Sequence, residues 1–475
     1  MSFDGNASSQ VTAVDNSFWS ILREAVRGST RDFTSEPIGM SLFLLAVPMV
    51  LEMVMESVFA LVDVFFVGRL GPDAVAVVIL TESMMALVYA VAFGLAIGAT
   101  ATVARRVGEQ DSEGAAKTST HVIYLGVIVS LVMGVAGVVL APSLLTALGA
   151  EPQVVLMGTT FMRIMLGGNA VVVFLFLLNA IFRGAGDAAI AMRVLWLANG
   201  LNIILGPCFI FGLLFFPKLG VTGAAVGTTI GRGCGVLFAF WYLFKGEKRF
   251  QIRRDHWQID PSMLWRLTKL SWTAVLQFLI GTASWSALVR VVAGFGSEAV
   301  AGYGIALRMV VFLLLPSLGL SNAAATLVGQ NLGAGKPDRS EKAVWTAAFL
   351  NAGIYGAVGF ALLFVSGSVV QFFTNDTVVI NYGSDALRII GYGFLFYGFG
   401  MVMETAFNGA GDTWTPTWIN LFIFWIFEIP LAYLLAYHFG LGPHGVFWAI
   451  TVAFSLLAIV AAVLFRRGKW KLKTV

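Results

Sequence analysis

NAIFRGAGD, residues Asn179–Asp187, recurs as ETAFNGAGD at Glu404–Asp412, with five of nine positions identical and an offset of 225 residues. The same offset lays GLAIGATATVARRVG (Gly94–Gly108) on GLSNAAATLVGQNLG (Gly319–Gly333). It also lays GPDAVA (Gly71–Ala76) on GSEAVA (Gly296–Ala301). One offset serving three separated segments implies that the chain is a duplicated unit.

The unit is built for lipid. Of 475 residues, 58% are hydrophobic and 12% charged, with a mean hydropathy of +0.85. A soluble domain carries about 25% charged residues. These charges are too few to coat a water-facing surface, which excludes a soluble enzyme, a nucleic-acid binder and a disordered protein. Apolar runs fall near 39–67, 74–103, 119–141, 154–181, 190–216 and 221–244, then near 264–293, 299–328, 343–365, 378–406, 415–437 and 446–465. A helix needs about 20 apolar residues to span a bilayer, and lipid cannot satisfy free backbone groups. The expectation is an all-α membrane protein of twelve transmembrane helices in two pseudo-symmetric six-helix lobes. The expected divisions are an N-terminal segment 1–37, a first lobe 38–244, a linker 245–262, a second lobe 263–466 and a basic tail 467–475.

Charge placement predicts the orientation. Arg105, Arg106 and Lys117, then Lys245, Lys248, Arg249, Arg253 and Arg254, then Lys336, Arg339 and Lys342 fall on one side with the C-terminal lysines and arginines. The opposite connections hold little beyond Arg69 and Lys218. Positive charge accumulates on the cytoplasmic side, so both termini are expected there, in an inner (plasma) membrane. No cleaved signal peptide is expected. Cys208 and Cys234 lie in apolar runs, so neither a disulfide framework nor a metal site is expected. The four histidines fall at helix ends and in loops and are expected at the interface.

Because each half holds an even number of spans, the halves enter the membrane in the same sense. Transporters of this plan bind substrate between the halves and alternate access by rocking one against the other. Ionisable groups in a bilayer are costly and mark function. The first span carries Glu52, Glu56 and Asp63, which at about 100° per residue share an arc of roughly 40°; the second adds Glu82. At the repeat offset these four meet Gln277, Gly281, Leu288 and Leu307, so the second half has lost them. It carries Glu404, opposite Asn179, together with Glu428. Coupling chemistry is therefore expected in the first half, with Asn179 and Asn202 supplying neutral oxygens beside Asp63. Arg308 is expected to pair with an acid such as Glu404, and Arg290 to reach toward an interface. The GAGD turns lack the lysine and strand of a phosphate loop; Asp187 and Asp412 are expected to cap the following helices.

At LVDVFFVGRLG (Leu61–Gly71), FRGAGD (Phe182–Asp187), LVGQNLGAG (Leu327–Gly335) and FNGAGDTWTP (Phe407–Pro416) the chain resembles the multidrug and toxic compound extrusion (MATE) family. The resemblance covers roughly residues 37–465. It implies two lobes forming a V and antiport of organic cations or drugs against sodium or protons. It places Asp63 on the family's first-helix carboxylate, Asn179 and Asn202 on polar positions of helices four and five, and Thr228 on a sixth-helix hydroxyl. Two positions depart from the pattern: the helix-five aspartate is Gly206 here, and the helix-seven glutamate of one subgroup is Gln277. Glu56 is read as standing in for the acid missing at Gly206. The ion-coupling set is thus Asp63, Glu56, Asn202, Asn179 and Thr228, and the substrate-binding set Glu404, Gln277, Asn179 and Glu52. No cofactor is expected beyond the coupling ion, H+ or Na+. The expected partners are a small-molecule substrate and the lipid bilayer, with no nucleic acid, and the chain is expected to act as a monomer. A flippase of lipid-linked sugars is the alternative; it calls for a strongly basic central cavity, whereas these helices are acid-rich. No histidine set, metal-ligand spacing or nucleophile–base pair suggests an enzyme.

Overall fold

The computed structural model describes residues 17–245 and 250–474. Residues 1–16 of the N-terminal segment, residues 246–249 of the expected linker (Lys248 and Arg249 among them) and the last residue lie outside them. Spans 1 to 6 are Ile38–Gly68, Pro72–Gly108, Ser112–Ala147, Pro152–Ala185, Ala188–Phe211 and Val221–Lys245. Spans 7, 8 and 9 are Pro261–Ala293, Ser297–Gly333 and Pro337–Gln371; spans 11 and 12 are Trp414–His438 and Pro443–Arg466. Span 10 is a pair, Thr377–Tyr392 and Phe394–Gly409, bent by 57°. These are eleven apolar helices long enough to cross a membrane, or twelve with the bent pair counted as one.

The duplication is visible in where helices start. Pro72, Ser112 and Pro152 begin helices, and Ser297, Pro337 and Thr377, each 225 residues later, begin theirs. Even the interruption of span 4 repeats: its helix breaks at Gly168, and span 10 breaks at Gly393. A Cβ at Gly168 would stand 2.7 Å from the Ile164 carbonyl, and one at Gly393 would stand 3.2 Å from the Thr451 methyl. Glycine is needed there because the backbone turns against its own preceding turn and against the sixth helix of its lobe. The apolar runs alone show neither break, since hydropathy is continuous across both. Spans 3 and 9 extend several residues beyond their apolar runs, because their polar first turns lie outside the hydrocarbon yet stay helical.

Both ends of the described chain lie on one side of the bundle, here termed the terminal face. The lobes meet mainly through span 8 on spans 1 and 2 and through span 2 on span 7. Small residues let these helices touch, as membrane packing requires. A Cβ at Gly319 would stand 2.6 Å from the Met49 carbonyl, and one at Gly329 2.6 Å from the Ala104 Cβ. Among the described residues, every such close approach between lobes lies between mid-bundle and the terminal face: Gly94, Gly98, Gly108, Gly186, Gly319, Gly329 and Gly333. Mid-bundle, Phe93 of span 2 stacks on Phe278 of span 7 at 5.2 Å.

Polar segments lock the same face. The Gln330 side chain donates to the Gly184 carbonyl at 3.0 Å, joining the lobes through the repeated motif itself. In the tail, Trp470 is fully buried against Phe465, and Lys473 pairs with Asp412 at 3.1 Å while its carbonyl accepts from Arg105 at 2.7 Å. The linker is pinned to span 3, where Thr120 donates to the His256 carbonyl and the Asp260 N–H donates to His121. Asp187 occupies the N-cap position of span 5 without the expected side-chain capping bond. Asp412 accepts instead from the Thr415 hydroxyl at 2.7 Å and pairs with Lys473, so the second turn serves as a tie for the tail.

A short helix, Phe18–Arg27, precedes span 1 with Phe18 and Trp19 exposed. Its Glu24 takes two bonds from Arg31, at 2.8 and 2.7 Å, and one from Ser29 at 2.7 Å. The Arg31 guanidinium holds the Glu24 carboxyl below its ordinary value of 4.5. A depressed carboxylate stabilises above the unfolded pKa and loses that contribution as pH falls through the folded one. The Phe18–Arg27 helix should therefore loosen below about pH 4.5, read as a rise in backbone hydrogen exchange over these residues; Glu24→Gln should remove the acid-side step.

The glycine contacts give a second expectation. Gly319→Leu inserts a side chain where spans 1 and 8 touch. Overpacking of this kind costs about 1–3 kcal/mol, enough to shift a two-state population roughly tenfold. Spin-label distances across the terminal face should lengthen in the variant.

Candidate functional site

The acids of span 1 do not share one environment. Glu52 is fully buried, with Oε1 accepting from Asn179 Nδ2 at 3.0 Å and from Arg183 at 3.0 Å. Asn179 and Arg183 lie one turn apart on span 4, so a single helix face supplies both donors. Glu56, one turn further along span 1, accepts from Asn199 of span 5 at 2.8 Å and pairs with Arg232 of span 6 at 3.4 Å. Arg232 is itself buried, donates to the Tyr89 hydroxyl at 2.9 Å and lies over the Phe59 and Tyr89 rings at 5.4 and 5.9 Å. Its charge is thus shared among a carboxylate, a phenol and two aromatic faces, the kinds of partner that make a buried guanidinium tolerable.

Asp63 lies two turns beyond Glu56, about 10.5 Å along the helix axis. Among the described residues no hydrogen bond or ion pair reaches its carboxyl. Together with Thr81 and Glu82 of span 2 and Thr228 of span 6, it lines a small, partly open cavity of about 30 Å³ whose other walls include the apolar Phe161 and Met165; Asp63 is half-buried and Glu82 exposed. That is room enough for a water. Thr81 Oγ1 is buried there without a hydrogen-bond partner, and Asn202 Nδ2 donates to Thr228 Oγ1 at 3.1 Å. Glu82 is within electrostatic range of Asp63 in its own lobe and of Arg308 in the other. The cavity therefore offers two carboxyls and two hydroxyls with no cation bonded to them, a set able to hold a proton or one small cation.

Of the expected ion-coupling residues, the structure brings Asp63, Thr228 and Asn202 together. It sets Asn179 against Glu52, and it binds Glu56 to Arg232 and Asn199. The acid that shares a cavity with Asp63 is Glu82, on the neighbouring helix, because side chains seven residues apart on one helix cannot meet. Gly206 lies beside Asn202; a Cβ there would meet only Asn202 Oδ1, at 3.6 Å. In the second lobe, Glu404 faces Asn420 of span 11 and not Arg308, and its Oε1 is buried without a hydrogen bond. Gln277 Oε1 is likewise enclosed and unbonded. Glu404 and Gln277 thus stay apart from the acids of span 1, while Glu52 and Asn179 form one pair.

Sequence reading missed Arg183, Arg232, Asn199, Tyr89 and Thr81. Arg183 sits in the FRGAGD motif and reads as a turn residue; Arg232 hides in the glycine-rich GRGCG of span 6. Helical spacing carried a signal, since Arg232 follows Thr228 by one turn and Asn199 precedes Asn202 by nearly one. Neither spacing names the partner across the bundle.

The MatE family model matches residues 48–208 and 274–434, one copy in each lobe. The probable multidrug resistance protein YoeA of Bacillus subtilis is 27% identical over 444 residues, 92% of this chain and 95% of that protein. The probable multidrug resistance protein NorM of Thermotoga maritima is 25% identical over 439 residues, 92% of this chain and 94% of that protein. A solved outward-facing multidrug resistance MATE transporter of the MOP superfamily superposes with a TM-score of 0.88 at 27% identity, covering 94% of this chain and 99% of that one.

Removing one partner of a buried ion pair costs about 3–5 kcal/mol, because the other charge is left unpaired. Arg232→Gln should therefore lower thermal stability in detergent, and Glu56→Gln added to it should recover much of the loss. A double variant as unstable as the single one would mean that Arg232 is held by its aromatic contacts and not by Glu56.

Proposed function

We propose that this chain, which belongs to the MatE family, is a secondary active antiporter that exports amphipathic, cationic compounds, drugs among them, in exchange for protons. The relatives' names speak for multidrug efflux, and the family comprises transport proteins, not enzymes. The observation that carries the finer reading is the cavity holding Asp63 and Glu82 beside Thr228 with no cation bonded to either acid. Glu52 and Glu56 are already neutralised by Arg183 and Arg232. Asp63 and Glu82, by contrast, have no cation bonded to them and are the first-lobe acids free to exchange charge during transport; Glu404 of the second lobe likewise has none.

Protons are favoured over sodium by the donor set. Sodium is a hard ion and wants several oxygens around one point, as such cations do in general. Glycine at 206 removes one of them. With the terminal face taken as cytoplasmic, lobes closed on that face correspond to the state that releases substrate outward. A proton and a substrate cation compete for the same negative charge on Asp63 and Glu82: proton uptake from outside releases the substrate and moves the lobes toward opening inward, where a new substrate cation displaces the proton and the lobes reopen outward. A flippase of lipid-linked anions needs free cations in its cleft; both buried arginines of the first lobe are instead committed to carboxylates.

The test is transport in proteoliposomes with proton and sodium gradients imposed separately. A proton gradient alone should drive export of a lipophilic cation such as ethidium. Asp63→Asn should lower that export at least tenfold, the equivalent of about 1.4 kcal/mol in the driving step, with folding intact. Gly206→Asp should admit sodium as a driving ion. Normal export by well-folded Asp63→Asn would overturn the assignment.

A further inference from the structure

The second lobe holds an acid that the antiport reading leaves unused. Glu428 ends the Leu421–Glu428 stretch of span 11, where the helix widens into π turns. It is fully buried, and neither carboxyl oxygen has a hydrogen-bond partner among the described residues. Tyr303 of span 8 is equally buried with its hydroxyl unbonded. Tyr303 and Tyr397 of span 10 both lie within electrostatic range of the Glu428 carboxyl. Tyr303 stacks on Phe447 and Tyr397 on Phe454; the acid and these two tyrosines are termed the box below.

Among the described residues no cation forms an ion pair with Glu428; Arg388 of span 10 is exposed and pairs with Asp385. Span 12 carries no charged residue between His444 and Arg466, and span 7 none between Lys269 and Arg290. Arg308 of span 8 is exposed and acts on Glu82. On span 10 the nearest acid is Glu404, seven residues beyond Tyr397 and facing Asn420. An ionised carboxylate in such a place is far costlier than a neutral acid.

Spans 10 and 11, which carry Tyr397 and Glu428, are both irregular. Span 10 breaks at Gly393, four residues before Tyr397, and bends by 57°. Span 11 has π turns at Leu421–Glu428 and Leu434–His438 with Pro430 between them. Single π turns concentrate at functional sites because the extra residue can be absorbed or released as a helix shifts. At the repeat offset Glu428, Tyr303 and Tyr397 meet Ile203, Val78 and Val172, so the first lobe has no counterpart.

We infer that the Glu428–Tyr303–Tyr397 box is a second proton-binding site, separate from the Asp63 cavity, which holds a proton in this conformation and releases it when spans 10 and 11 change register. The O–H bond of the neutral acid breaks, the proton passes to water entering between the two spans, and a carboxylate remains. Reprotonation from the opposite side restores the closed box. Glu404 and Asn420, the next polar pair between the same two spans, mark the side from which water enters. The inference deepens the proton-antiport reading and rests on it for the role of the site, though not for the presence of the proton.

Infrared difference spectra of the purified full chain, with ethidium as the probe cation, test it. A protonated-carboxyl C=O band should change on ethidium binding, vanish in Glu428→Gln and persist in Asp63→Asn. Ethidium binding should release fewer protons from Glu428→Gln than from the native chain, by about one. If Glu428→Gln does not fold, Tyr303→Phe should shift the frequency of the same band without removing it. The inference is overturned if the native chain shows no such band, if the band survives in Glu428→Gln, if the proton count is unchanged, or if Tyr303→Phe leaves the frequency where it was. Failure of the antiport reading would look different: Asp63→Asn would export normally while the Glu428 band remained.

Discussion

Glu52 and Arg183, 3.0 Å apart and both shut away from solvent, state the constraint under which the rest of the first lobe is built. A charge inside a bilayer has to be paired, shared or neutralised by a proton. Span 4 can answer Glu52 only because Asn179 and Arg183 sit one turn apart on the face that meets span 1. One turn further, Glu56 is answered from two other helices, by Asn199 and Arg232. These pairs fix the rotation of spans 1, 4, 5 and 6 about their axes. They tie these four helices into one body, as a lobe that rocks must be.

Asp63 and Glu82 acquire meaning against that background. They occur in the same lobe as the paired acids and are chemically alike, yet no arginine is bonded to them. A structural acid and an exchanging acid differ here in what the neighbouring helices bring, not in residue type. The second lobe solves the problem by another route. Its acids, Glu404 and Glu428, face amide and phenol groups without a bonded cation. The two lobes share a backbone plan down to the glycine breaks at 168 and 393 while carrying different electrostatics. Duplicated backbone with divergent charge suits a machine in which the halves do different work.

The contacts between lobes are of another kind. They rest on glycine and alanine backbones in close approach and on a few ties at the terminal face, with little charge across the bundle itself. Among the described residues no buried ion pair crosses this interface, so none has to break when it parts. The tail, with Trp470 buried and Lys473 tied to Asp412, belongs to the second lobe but is held by Arg105 of the first. It is one of the contacts that must yield if the terminal face opens.

Hydropathy, a fixed offset and three repeated segments were enough for the helical membrane fold and its two lobes, because lipid leaves the backbone few alternatives and duplication copies the pattern. The spacing of Glu52, Glu56 and Asp63 on one face was equally legible, since 3.6 residues per turn is a local property. Which of these acids is free was not. That depended on Arg183 and Arg232, 131 and 176 residues away from the carboxylates they pair with. It also depended on Glu82 reaching across from span 2 to share a cavity with Asp63. Hydropathy runs unbroken through the bend of span 10 and the π turns of span 11, so the box around Glu428 had no sequence signature beyond the acid itself. Local periodicity decides which side chains share a helix face; only the packing of helices distant in sequence decides which charges meet a partner and which are left to carry a proton.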